Sequence, residues 1–212
     1  YDKLSYNFLR DMAPVAGIMR VSNVMLVTPS LPVHSVPELV AYAKANPKKL
    51  NYTSGNTFAI VATTMIAKQS GIEMLHVPYK TEPDAITDLL SGQVHVMLAT
   101  PPVLLPHVLA GKLTALAVTT DERSSLTPEL PTLVEAGVPK LPIGPWFALT
   151  APAGTPPDII AFMNREFAKS MKKPEVEAGL KRAGFTPKPS TPEALGAYIK
   201  DQLGVWKAAL KE

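Results

Sequence analysis

Short apolar runs of strand length alternate with helix-length stretches along the first half of the chain. Asn23–Thr28, Leu50–Thr53, Glu73–Tyr79, Val94–Leu98 and Leu113–Thr119 read as strands. Between them the spacing predicts helices over 36–45, 57–69 and 83–91, the last ending at Gly92, and a short helix after Thr100 that stops at Gly111. Strand and helix in turn, joined by short connections, predict an α/β fold: a parallel sheet with helices on both faces. After Asp121 the rhythm changes. The stretch 124–145 carries Pro128, Pro131, Pro139, Pro142 and Pro145 and reads as loop plus one short helix. Pro145–Ala151 then reads as a buried strand, followed by helices over 158–171, 174–183 and 192–211 with breaks at Gly184, Pro187 and Pro189. Ile159, Phe162, Met163 and Phe167 recur at helical spacing and predict a core-facing stripe.

The helix starts share a chemistry. Ser35-Val-Pro37-Glu38, Thr81-Glu-Pro83-Asp84, Thr155-Pro-Pro157-Asp158 and Ser190-Thr-Pro192-Glu193 each place an acid three residues after a hydroxyl, with a proline just inside. A proline there loses an N–H that had no helical partner, and the acid meets the positive end of the helix dipole. Pro131-Thr132-Leu-Val-Glu135 is a looser fifth instance.

Composition narrows the function. Apolar residues make up 46% of 212 residues and charged ones 18%, which excludes intrinsic disorder. Cysteine is absent, so disulfides, iron–sulfur clusters and thiol nucleophiles are excluded. His34, His76, His95 and His107 stand singly, without metal-ligand spacing. No GxSxG, Walker, GxGxxG or HExxH pattern is present, so neither an enzyme nor a cofactor is expected. The cations of the +3 net charge are spread along the chain, and the pairs Lys48-Lys49, Lys172-Lys173 and Lys181-Arg182 form no nucleic-acid surface. Tyr1-Asp2-Lys3-Leu4 has none of the features of a signal peptide and reads as the start of a processed or truncated product. No apolar run approaches the ~20 residues that span a bilayer.

The candidate chemistry sits in loops that follow strands, where open α/β sheets bind ligands. In Tyr52-Thr-Ser-Gly-Asn-Thr57, Gly55 permits close backbone approach, and the free N–H groups of Thr57 and Phe58 open a helix as an anion site. Ser54 and Asn56 add side-chain donors. Tyr79, Lys80, Ala99 and Thr100 lie in two further strand-end loops. Each also has a plain structural reading: a helix cap for Asn56 and Thr100, a solvated charge for Lys80, rim packing for Tyr79. Asp84 and Asp88 fall one turn apart, the first as a helix-start acid and the second as a surface residue.

Several blocks resemble one family in order along the whole chain. They are Leu31–Val40, Asn46–Tyr52, His76-Val-Pro-Tyr-Lys80, Leu90-Ser-Gly-Gln-Val94, Leu105–Leu113, Leu130–Gly137 and Trp146–Thr155. They are similar to the Bug-type (TctC-like) solute receptors of tripartite tricarboxylate transporters. The resemblance implies a periplasmic protein with a two-lobed periplasmic-binding-protein-like fold of type II, closing on a small carboxylate held by loop amides, and working with membrane transporter subunits. It assigns 1–19 to a remnant of the first lobe and a crossing. Residues 20–145 form the second lobe, and 146–212 a crossing strand and helices belonging with the first. The family's opening portion has no counterpart here, which implies a truncated first lobe. Two other departures concern the site. The wall after Asn56 is apolar (Thr57-Phe-Ala-Ile-Val61), and Ala99 replaces a common acid, which removes the partner of a ligand ammonium. A carboxylate without an amine, with an apolar or aromatic body, is therefore the expected solute. The alternative on the same architecture is the ligand-sensing effector domain of a transcriptional regulator.

Overall fold

Caps and breakers set the boundaries of most elements in the computed structural model, which describes residues 5–124 and 126–210. In chain order these are α1 (Phe8–Asp11), β1 (Met12–Val21), β2 (Val24–Val27), α2 (Val36–Ala45), β3 (Asn51–Ser54), α3 (Thr57–Ser70), β4 (Leu75–Pro78) and α4 (Glu82–Ser91). There follow β5 (Val96–Ala99), α5 (Pro101–Leu109), β6 (Thr114–Val118), β7 (Trp146–Pro152), α6 (Pro157–Met171), α7 (Pro174–Arg182), β8 (Phe185–Pro187) and α8 (Pro192–Ala209). The chain divides into two compact units. One is Val21–Gly144; the other joins the described residues up to Arg20 with those from Pro145 onward.

Within the Val21–Gly144 unit, a five-stranded sheet runs in the order β4-β3-β5-β2-β6. β3 pairs parallel with β4 and β5, whereas β2 is antiparallel to both β5 and β6. The sheet is therefore mixed and not parallel throughout. The sequence misses this because β2 and β5 are continuous apolar runs, buried at every position. Such runs signal burial on both faces but carry no strand direction. Ser35 caps α2 by accepting from Glu38 N, and Asn56 caps α3 by accepting from Ala59 N. Gly92 ends α4 in the left-handed region at φ 80°, which a side chain resists.

The helix expected within 124–145 does not form; Ser125 lies outside the described residues. Its start signal is nonetheless built: Thr132 N donates to Glu135 Oε2 at 2.8 Å, and Glu135 N donates to Thr132 Oγ1 at 3.1 Å. Gly137 at φ 87° and Pro139 follow too soon for a nucleated turn to propagate.

In the other unit, a three-stranded sheet runs β7-β1-β8. β1 and β7 pair antiparallel from Met12↔Pro152 to Arg20↔Trp146, with register shifts after Pro14 and Gly17. Proline is tolerated at such irregularities. Sequence reading missed β1 and β8, since Pro14, Gly17, Pro187 and Pro189 all look like breakers. Val15, Ala16 and Ala151 form a small core under Ile160, Met163 and Phe167. Ile159 and Phe162, expected in that stripe, are exposed; the Arg165 guanidinium lies over the Phe162 ring. β7 is not the buried strand expected either: only Ala151 is buried, and Phe147 is 52% exposed. Two of the shared helix starts also differ from their pattern. Thr155 Oγ1 donates to Pro152 O instead of capping α6, and Thr191, not Ser190, caps α8. Ser190 Oγ instead accepts from Gly17 N at 2.9 Å. Among the described residues no helix is long and apolar enough to cross a membrane. The predicted end of the last helix at Lys211 falls outside the described residues.

Candidate functional site

The parallel strands β3, β4 and β5 deliver their carboxyl ends to one edge of the Val21–Gly144 unit. There the loops ahead of α3, α4 and α5 meet, and with them most of the sequence-predicted residues.

Ser54, at the end of β3, is buried, and its hydroxyl lies 2.9 Å from His76 Nε2. That imidazole stacks on Tyr52 at 4.9 Å between ring centroids, and burial holds its pKa below the ordinary value. Ser54 is thus committed to the protein. Gly55 does allow a close approach, but the neighbour is α4: a Cβ there would lie 2.5 Å from Glu82 N and 2.8 Å from Glu82 Cα. Asn56 caps α3 through Oδ1, 2.9 Å from Ala59 N, while its Nδ2 donates to Glu82 Oε1 at 2.7 Å. Thr57 is exposed and Phe58 buried, and as the first two residues of α3 their N–H groups precede any intrahelical acceptor.

Tyr79 is half-buried, and its hydroxyl donates to the Asp88 carboxylate, a bond that raises the phenol's pKa. Asp88, expected to be a plain surface residue, is thereby paired. Lys80 is exposed. Ala99 is fully buried with its methyl in the core, so it offers the loop only backbone. Thr100 opens α5 without capping it; its Oγ1 donates to Glu82 Oε2 at 2.7 Å, and its N–H to the same oxygen at 3.3 Å. Pro101 and Pro102 follow and bring no N–H, so α5 has no donor in its first two positions.

The residue that joins these loops is one the sequence reading passed over. Glu82 receives hydrogen bonds from Asn56 and Thr100, both outside its own helix. It forms no ion pair among the described residues. The signal lay in Thr81-Glu-Pro-Asp84: Thr81 and Asp84 bond to each other and complete the cap, which leaves Glu82 a second acid without a capping role. Glu82, from α4, thus brings a carboxylate to the loop where Ala99 brings none.

Asn23 was also missed. It precedes the Val24↔Ala99 pair, is 1% exposed, and has no hydrogen-bond partner among the described residues for either side-chain amide atom. Its only signal was a polar pair, Ser22-Asn23, just ahead of an apolar strand. Buried amides of this kind are normally satisfied by water or a ligand. Among the described residues, no three His, Asp or Glu side chains converge as a metal site.

The chain matches the TctC family, described as tripartite tricarboxylate transporter family receptor, over residues 1–212. It is 31% identical over 211 residues to protein BugT of Bordetella pertussis, covering 99% of this chain and 65% of that protein. The chain therefore spans just under two thirds of the length of this curated relative. Among solved structures it is similar to R. palustris Rpa4515 with adipate, at 32% identity and a TM-score of 0.92, covering 100% of this chain and 71% of that one. It is also similar to MatC of Rhodopseudomonas palustris with bound malate, at 25% identity and a TM-score of 0.84, covering 98% and 72%. The α/β fold is that of periplasmic binding proteins.

Proposed function

The chain belongs to the TctC family of tripartite tricarboxylate transporter receptors, and on that premise we propose that it captures a small carboxylate in the periplasm for a transporter of that type. It performs no chemistry on the solute. Its membrane partners are the transporter's own subunits. The observation that carries this reading is the opening of α3: the Thr57 and Phe58 N–H groups have no intrahelical acceptor where three parallel strands end. A carboxylate there gains charge-assisted hydrogen bonds and the favourable end of the helix dipole. Ser54, Gly55, Asn56, Tyr79, Ala99 and Thr100 shape the surroundings, and the unpaired amide of Asn23 supports a polar or water-bridged contact beside them. Adipate and malate in the names of two structural neighbours support a carboxylate as the group that is held, each of those two solutes carrying a pair of them.

Thr57→Pro tests the reading cleanly. Proline suits the first helical position, and Asn56 before it is already extended (φ −154°, ψ 159°), so the variant deletes one N–H and leaves the helix intact. A lost hydrogen bond to a charged group is worth about 1.5–3 kcal/mol, so calorimetry should show carboxylate affinity lowered about 10- to 100-fold. Unchanged affinity removes α3 from the site. A full-length protein that binds no aliphatic or aromatic carboxylate rejects the receptor function itself.

A further inference from the structure

We propose that Glu82 sets which carboxylates this receptor accepts: solutes with a single carboxylate enter, and dicarboxylates are refused. The inference rests on the receptor reading above and refines it. Three donors in these loops are already taken, namely Asn56 Nδ2, Thr100 N and Thr100 Oγ1, at 2.7–3.3 Å from Glu82's own oxygens. What the cluster presents instead is an anion. No lysine, arginine or histidine among the described residues pairs with it, so the side chains that hydrogen-bond to it are neutral. A carboxylate offers about four lone-pair positions, and three are filled here, which leaves room for one incoming donor. The first turn of α4 adds Asp84, a further negative charge, and Pro83, which has no N–H to offer. Gly55 fixes this arrangement, because α4 closes on its backbone too tightly for Glu82 to be displaced by the loop moving inward.

The consequence is selection by repulsion. A solute carboxylate takes the opening of α3, while its other polar group must be neutral or cationic to lie beside Glu82; a second carboxylate meets a like charge where the Asn56 and Thr100 donors are already bound.

Two sets of probes matched in size decide the matter: hexanoate, its ω-amino derivative and adipate; and benzoate, para-aminomethylbenzoate and terephthalate. Calorimetry on the full-length protein should give at least about tenfold tighter binding of the monocarboxylates than of the matching dicarboxylate. Glu82→Gln, which keeps the shape and loses the charge, should bring that ratio close to one. Glu82→Asp, which keeps the charge and loses the fit, should retain the preference. Circular dichroism verifies that both variants fold. If the native protein prefers dicarboxylates, or if Glu82→Gln leaves the ratio unchanged, the proposal is overturned while the receptor reading stands. If Glu82→Asp loses the preference as fully as Glu82→Gln, the effect is one of fit, and the proposal is likewise overturned. Absence of binding to every probe by the native protein and both variants removes the receptor reading, and this inference with it.

Discussion

A methyl group at Gly55 would strike backbone atoms of Glu82, which cannot rotate away as a side chain could. Gly55→Ala should therefore cost about 1–3 kcal/mol in urea unfolding, the usual penalty for overpacking. Gly204 is the control. It is exposed within α8, a methyl group added there would meet nothing within 4 Å, and substitution by Ala should gain about 0.5–1 kcal/mol. Histidine protonation is the second effect at this scale. Burial lowers the pKa of both His76 and His95, so below the ordinary histidine value of about 6.5 the unfolded chain binds more protons than the folded one. Their contribution to stability is present above that pH and is lost as pH falls through the lower folded values. The urea midpoint should drop between pH 7 and about 5.5, and His76→Gln should flatten the slope. A slope of opposite sign, or one indifferent to His76, would count against this assignment.

Elements differ in how deeply they are anchored. β2 and β5 are buried at all positions, whereas β7 buries Ala151 alone and α7 buries nothing. Hydrogen exchange should follow: amides of β2 and β5 should be the slowest, with those of β7 and α7 at least about 100-fold faster. Equal protection across these four elements would contradict the burial pattern. The same contrast explains what was legible beforehand. Helix starts at Ser35, Asn56 and Thr81 could be read because a cap and its partner lie within three residues of each other. Strand direction could not, since β2 and β5 carry no polar face, and β1 was concealed by its own Pro14 and Gly17. The loops of the candidate site were legible from Gly55 and Asn56, which open α3. Glu82 was not, because its partners Asn56 and Thr100 lie 26 and 18 residues away in sequence.

For the molecule as a whole, family membership spans the full chain, while the chain spans just under two thirds of its relative BugT. The chain leaves its discontinuous unit after Arg20 and returns at Pro145. Those two points are neighbours, since Arg20 and Trp146 are facing partners of the β1–β7 ladder. Tyr198 binds both ends of that rung: the Arg20 guanidinium lies 4.7 Å over its ring, and Trp146 meets its edge at 5.3 Å. In topological terms, Val21–Gly144 is an insert in what is otherwise an ordinary strand–turn–strand hairpin. A two- to five-residue turn of the usual hairpin type can bridge such a gap. A gene that exchanges the insert for that turn therefore encodes the smaller unit as one uninterrupted piece, with its central ladder already in register.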